Sequence, residues 1–386
     1  MKTIFFLFLA FTITVQSYAQ EVVTGAEQLE EYFPLLKNRR VGFMGNQTSV
    51  VGKKHLVDVL IEKGITVQFA FAPEHGFRGD IERGEKFGNT RDQKTGIPIY
   101  TLYGGNTQAD SIISSVDCMI FDIQDVGARF YTYITSLHRV MQLCADHHKK
   151  LIILDRPNPN GDQVDGPVRK NDQYKSDVSY HKIAMIHGLT IAELAQMING
   201  EKWLDKGVQC DLHIVKVKNY THNTLYRLPV IPSPSLTNHL AVRLYTSLCL
   251  FEGTEINIGR GTDHPFQMIG YPNPLFGKFT FVPLSKAGMS AHVENQGKQC
   301  YGIDLRNLNG DDCRFTLKYL LDFYQKSKQI KGFNFFSRPD FFNKLAGNAE
   351  LQEQIKAGMN ERQIRATWQK DLDAYRSMRK KYLLYD

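Results

Sequence analysis

The feature that most constrains the fold of this chain is a series of short, unbroken apolar runs separated by segments of helical spacing. "RVGFMGN" (40–46), "TVQFAFA" (66–72), "IPIYTL" (97–102), "VDCMIFDI" (116–123) and "KLIILD" (150–155) are each bounded by polar or glycine positions. A short continuous apolar run with turn residues at its ends is the pattern of a strand buried on both faces. Between the first two runs lies "HLVDVLIEKG", with apolar residues at helical intervals and a stop at Gly64. Between the last two lies "YTYITSLHRVMQLCADHHKK", about five helical turns. A further unit, "TIAELAQMING" followed by "CDLHIVKV", continues the alternation. Strand–helix–strand alternation predicts an α/β fold, a Rossmann-like, doubly wound and mainly parallel sheet with helices on both faces.

At 386 residues the chain exceeds one ordinary core. The stretch "RLPVIPSPSLTN" (227–238) carries prolines at 229, 232 and 234 and marks a boundary. Beyond it the pattern changes to a glycine-rich polar segment, the strand-like "KFTFVPL" and "YGIDL", and a helical tail ending in "YRSMRKKYLLYD". The expected organisation is an N-terminal domain over residues 21–240 and a smaller α+β C-terminal domain over residues 241–386. Residues 1–20 read as a secretory leader: Lys2, the apolar run "TIFFLFLAFTITV", then Ser17 and Ala19 at the −3 and −1 positions of a cleavage site. That apolar core is too short for a membrane span, so the expected product is exported, to the periplasm or cell exterior, with the Gram-negative periplasm favoured. The six cysteines (118, 144, 210, 249, 300 and 313) show no metal-ligand spacing, and the sequence leaves a Cys300–Cys313 bridge open. A net charge of +7 is mild, and no Lys/Arg block with interleaved aromatics supports a nucleic-acid partner. The sequence gives no oligomeric state.

Sheets of this class gather their ligand site at the carboxyl ends of the strands, near the point where strand order reverses. The residues just past each predicted strand are therefore the candidates: Asn46; Glu74, His75 and Arg78; Asp122, Asp125, Arg129 and Tyr131; Asp155, Arg156 and Asn158, with Asp165 further along the same loop. After the first strand stands "GNQTSVVGKK", which has neither G-x-G-x-x-G nor a Walker pattern, so a dinucleotide or nucleoside triphosphate is disfavoured. Glu74 in "FAPEHGFRG" is placed to act as a general acid if its surroundings raise its pKa. Arg129 suits a carboxylate and Tyr131 a sugar face. In "HGLTIAEL", Thr190 and Glu193 form a capping box, which leaves His187 the residue freer to meet a ligand. In "EGTEINIGRGTDHPF", Glu252 and Arg260 sit among glycines, in a loop suited to closing over an anionic group.

These motifs together, "FAPEHGFRG", "VDCMIFDIQDVGARFYTYITSL", "LDRPNPNG", "HGLTIAELA", "PSPSL", "EGTEINIGRGTDHPF" and the closing "KYLLYD", resemble the NamZ-type exo-β-N-acetylmuramidases over nearly all of the chain beyond the leader. The sequence departs from that pattern at Asp165, where the family carries glutamate, and at Ser235, where it carries asparagine. The resemblance implies a site in a cleft between the two domains, no cofactor, and release of terminal MurNAc from the non-reducing end of peptidoglycan fragments such as MurNAc-GlcNAc. Glycoside cleavage ordinarily uses two carboxyl groups. The expectation is Glu74 as acid, His75 as its orienter and Asp125 or Asp122 as partner, with Arg129, Arg156 or Arg260 gripping the lactyl carboxylate. The rival reading is a non-catalytic periplasmic module that binds muropeptides. No G-x-S-x-G elbow supports a serine esterase.

Overall fold

The predicted apolar runs form the strands of one sheet. The structure, a computed structural model, describes residues 20–79, 89–102, 108–286 and 293–386; the predicted leader, apart from Gln20, lies outside the described residues. In chain order the sheet strands are β1 (Arg40–Gly45), β2 (Thr66–Ala72), β3 (Thr90–Arg91), β4 (Pro98–Thr101), β5 (Cys118–Asp122), β6 (Lys150–Leu154) and β7 (Asp211–Val215). They lie in the order β7-β6-β5-β1-β2-β4-β3. Every neighbouring pair is parallel except β4 with β3, a two-residue antiparallel edge strand. The order reverses between β1 and β5, so the carboxyl ends of those two strands mark the switch point.

Alternation along the strands supplies two cores. Val41, Phe43, Ala70, Ile120 and Ile152 face one side, against the helices Leu29–Leu36 and Leu56–Glu62. Met44, Phe69, Phe71, Met119, Phe121, Leu151 and Ile153 face the other, where they join the helices Tyr133–Asp146 and Ile191–Gly200. This second cluster continues without a break through Tyr245 and Phe266 to Trp368 and Tyr375 near the end of the chain.

The smaller C-terminal part holds a three-stranded antiparallel sheet of Met268–Tyr271, Cys300–Asp304 and Phe279–Phe281, with Cys300–Asp304 in the centre. Its helices include Lys318–Ser327, Pro339–Ala346 and Glu361–Arg379. The final residues return to the large sheet. Tyr385 donates its hydroxyl to Asp155 Oδ2 at 2.6 Å and accepts from the Val217 amide at 2.9 Å. The Leu384 amide donates to Glu193 Oε1 at 2.9 Å. All six cysteines are free thiols, so Cys300 and Cys313 are not bridged.

Candidate active site

At the switch point the chain fills the crevice with its own polar groups. Asn46 Oδ1 accepts from the Thr48 amide and hydroxyl, and Thr48 in turn accepts from the Gln124 amide at 3.0 Å. Ser49 donates to the Asp122 carbonyl. Asp122 itself is fully buried in a two-point ion pair with Arg156, at 2.5 and 2.9 Å. Burial pushes the Asp122 carboxyl up, and the guanidinium opposes that shift. Neither member reaches solvent.

Asp125 accepts from the Gly127 amide at 2.7 Å and lies 3.3 Å from His187 Nε2. The Leu189 amide donates to His187 Nδ1 at 3.1 Å, which leaves the ring proton on Nε2, facing Asp125. Both residues are buried. Gly127 has φ +79°, and a Cβ there would meet Asn158 Oδ1 at 2.2 Å, so this corner accepts only glycine. Asn158 is used locally, donating to the Leu189 carbonyl and accepting from the Asn160 amide. Asp155 accepts from the Ala192 amide at the start of the helix Ile191–Gly200, as well as from Tyr385. Burial pushes its carboxyl up to about 7.

Three further expected ligand residues are also engaged within the fold. Arg129 is fully buried and donates to four carbonyls: Pro167 and Ile183 from Nη1, Leu345 and Ala346 from Nη2. It ties the hairpin Asp165–Val168/Ala184–Ile186 to the last turn of the helix Pro339–Ala346, where the helix dipole favours a cation. Burial lowers its pKa to about 9. Both of its Nη atoms are thus committed to backbone carbonyls, away from the cleft where a substrate carboxylate was expected to meet it. Arg78 bridges Asp58 and Asp92 at 3.0 and 2.7 Å, and Asp165 pairs with Arg365.

The remaining expected residues, Glu74, His75, Tyr131, Glu252 and Arg260, line one cleft of about 380 Å³ between the end of β2 and the C-terminal part. Glu74 stands two residues past the end of β2, after Pro73, and Thr132 donates to its Oε2 at 2.7 Å. His75 takes φ +72°, an uncommon backbone for a residue with a Cβ, as the chain turns sharply at Gly76. Tyr131 and Tyr133 stack edge to face at 4.6 Å and both donate to the Pro232 carbonyl, at 2.8 and 3.0 Å. Gln47 donates to the same carbonyl at 3.0 Å, so one atom of the proline-rich loop is held from three sides. That loop presents Ser233 and Ser235 to the cleft.

On the opposite wall Arg260 donates to Glu252 at 2.6 Å and to Ser235 Oγ at 2.8 Å, with its guanidinium 5.0 Å over the Phe266 ring. Phe130, Tyr245 and Phe266 form an aromatic floor, with centroid separations of 5.1 and 5.0 Å. Glu74 therefore shares the cleft with Glu252, while Asp122 and Asp125 are not among its lining residues. Among the described residues no group of three or more His, Cys, Asp or Glu side chains is placed to hold a metal ion.

Thr132, Tyr133, Ser233, Ser235, Tyr245 and Arg338 line the same cleft without standing at the predicted strand ends. Ser233 and Ser235 carried a signal, the "PSPSL" motif. Tyr245 sits at helical spacing on the buried face of His239–Leu248 and reads as core. Arg338 precedes Pro339 at the start of a helix, a position that the following proline holds out of helical geometry.

Comparison with known proteins agrees with this architecture over almost the whole chain. Residues 41–240 match the N-terminal model, and residues 243–385 the C-terminal model, of the exo-β-N-acetylmuramidase NamZ family. The chain is 35% identical to the peptidoglycan β-N-acetylmuramidase NamZ of Bacillus subtilis, over 95% of this chain and 92% of that protein. A crystal structure of a DUF1343 family protein from Bacteroides fragilis superposes with a TM-score of 0.87 at 44% identity, covering 95% of this chain and 99% of that one. A second DUF1343 protein from the same organism gives 0.80 at 28% identity, with the same coverage. The chain belongs to the exo-β-N-acetylmuramidase NamZ family of glycoside hydrolases.

Proposed function

We propose that this protein is an exported, exo-acting β-N-acetylmuramidase that removes terminal MurNAc from the non-reducing end of peptidoglycan fragments such as MurNAc-GlcNAc. The observation that carries the reading is the meeting of Glu74 and Glu252 in one aromatic-floored cleft. Glycoside hydrolysis needs one carboxyl to protonate the leaving oxygen and a second group to meet the positive charge developing at the anomeric carbon. Glu74, part-buried and steadied by the Thr132 hydroxyl, takes the first role. Glu252, paired with Arg260 at 2.6 Å on the opposite wall, takes the second. Tyr131, Tyr245 and Phe266 add aromatic lining to the same cleft, a surface suited to a sugar ring.

The reading is tested by incubating the protein with MurNAc-GlcNAc and with longer glycans that end in MurNAc. Free MurNAc is expected from each, at one residue per chain end in early turnover. Internal fragments without free MurNAc would contradict exo action. Tight calorimetric binding of intact disaccharide with no product would favour the binding module instead.

A further inference from the structure

We infer that Arg338 is the residue that reads the carboxylate of the substrate and so sets selectivity for a muramyl sugar; this rests on the function proposed above. An N-acetylmuramyl unit differs from N-acetylglucosamine by a lactyl ether that ends in a carboxylate, and a cation at the cleft is the strongest single donor that would tell the two apart. Arg129 and Arg156 are spent elsewhere, on four carbonyls and on Asp122. Arg260 lines the cleft but is buried, with Nη1 committed to Ser235 and Nη2 to Glu252. Drawing Arg260 onto a ligand would break its 2.6 Å ion pair with Glu252.

Arg338 also lines the cleft, and its side chain is 44% exposed. Among the described residues only its Nη2 is engaged, with Glu294 at 2.8 Å, which leaves the Nη1 side of the fork for a second carboxylate. Its position is fixed rather than incidental. The Arg338 amide donates to the Gly253 carbonyl at 3.1 Å, which sets the residue beside Glu252. Pro339 at the helix start restricts its backbone, and its guanidinium lies 5.9 Å over Phe341. Two arginines of the cleft are thus tied to the Glu252–Gly253 segment, the buried Arg260 to the Glu252 carboxylate and the exposed Arg338, through its amide, to the Gly253 carbonyl. A guanidinium is suited to the task because its planar fork matches the two oxygens of a carboxylate.

The test compares calorimetric Kd values for MurNAc and for its neutral carboxamide, with wild-type protein, Arg338→Ala and Arg338→Gln. Wild type is expected to bind the acid roughly 10- to 100-fold more tightly than the amide, the range of a charge-assisted hydrogen bond. In both variants that ratio should fall to about 1, as expected when the charge-assisted bond is lost. Arg338→Gln keeps a polar, uncharged side chain at the position, and a Tm equal to wild type in either variant separates loss of charge reading from a folding defect. A wild-type ratio near 1, or a ratio unchanged in both variants, overturns the inference. Failure of wild-type protein to release MurNAc would instead strike the proposed function, so the two failures are distinguishable.

Discussion

At the scale of single residues, the charged groups that cluster at strand ends divide into two sets that spacing alone does not separate. Glu74 and His75 reach the cleft; Asp122, Asp125, Asp155, Arg156 and Asn158, equally close to their strands, turn inward and satisfy one another or the backbone. The division depends on partners distant in sequence: Asp155 needs Tyr385, and Arg129 needs Leu345 and Ala346. Arg129→Ala should therefore lower stability by about 3 kcal/mol or more, because four buried carbonyls lose their donor and a large cavity is left. Urea denaturation checks this, and KM measured on the folded fraction should be unchanged. Gly347 has φ +79°, and a Cβ there would lie 2.5 Å from Arg129 Nη2. Gly347→Ala is expected to cost roughly 1–3 kcal/mol through backbone strain and displacement of that guanidinium, read as a fall in Tm.

At the scale of elements, the main strands were legible because each is a continuous apolar run, and such a run has few alternatives once helices flank it. The exception is β3, two residues at an edge with no apolar signature. The Thr190–Glu193 capping box also stands in the structure, where Glu193 additionally holds His222 and the Leu384 amide. The role of the terminal "KYLLYD" was not legible, since its partners lie about 160 to 230 residues earlier. Tyr385→Phe should destabilise the protein by roughly 2–4 kcal/mol, because two hydrogen bonds are lost, one to the Asp155 carboxyl group and one from the Val217 amide. The loss should appear first as faster amide exchange at Leu384 and Val217.

At the scale of the whole molecule, burial of titratable groups shapes the pH profile. His55 and His138 are both lowered to about 4, chiefly by burial. Folding therefore excludes a proton that the unfolded chain takes up, and stability should fall as pH drops from about 6.5 toward 4. Asp155 acts in the opposite sense. Its folded pKa of about 7 stands above the ordinary 3.8, so its contribution is fully present below about 4 and is lost as pH rises through 7. Asp155→Asn should steepen the acid limb and flatten the decline between about pH 6.5 and 7, measured as urea midpoints across pH.

The central claim is that Glu74, in the cleft it shares with Glu252, donates the proton to the leaving sugar. The most direct measurement is kcat for MurNAc release by Glu74→Gln beside Asp125→Asn, with Tm recorded for each. Loss of a general acid typically costs about 10²- to 10⁴-fold, and that loss is predicted for Glu74→Gln at unchanged Tm, with Asp125→Asn losing far less per folded molecule. Full activity in Glu74→Gln, or a catalytic collapse confined to a normally folded Asp125→Asn, would contradict the account.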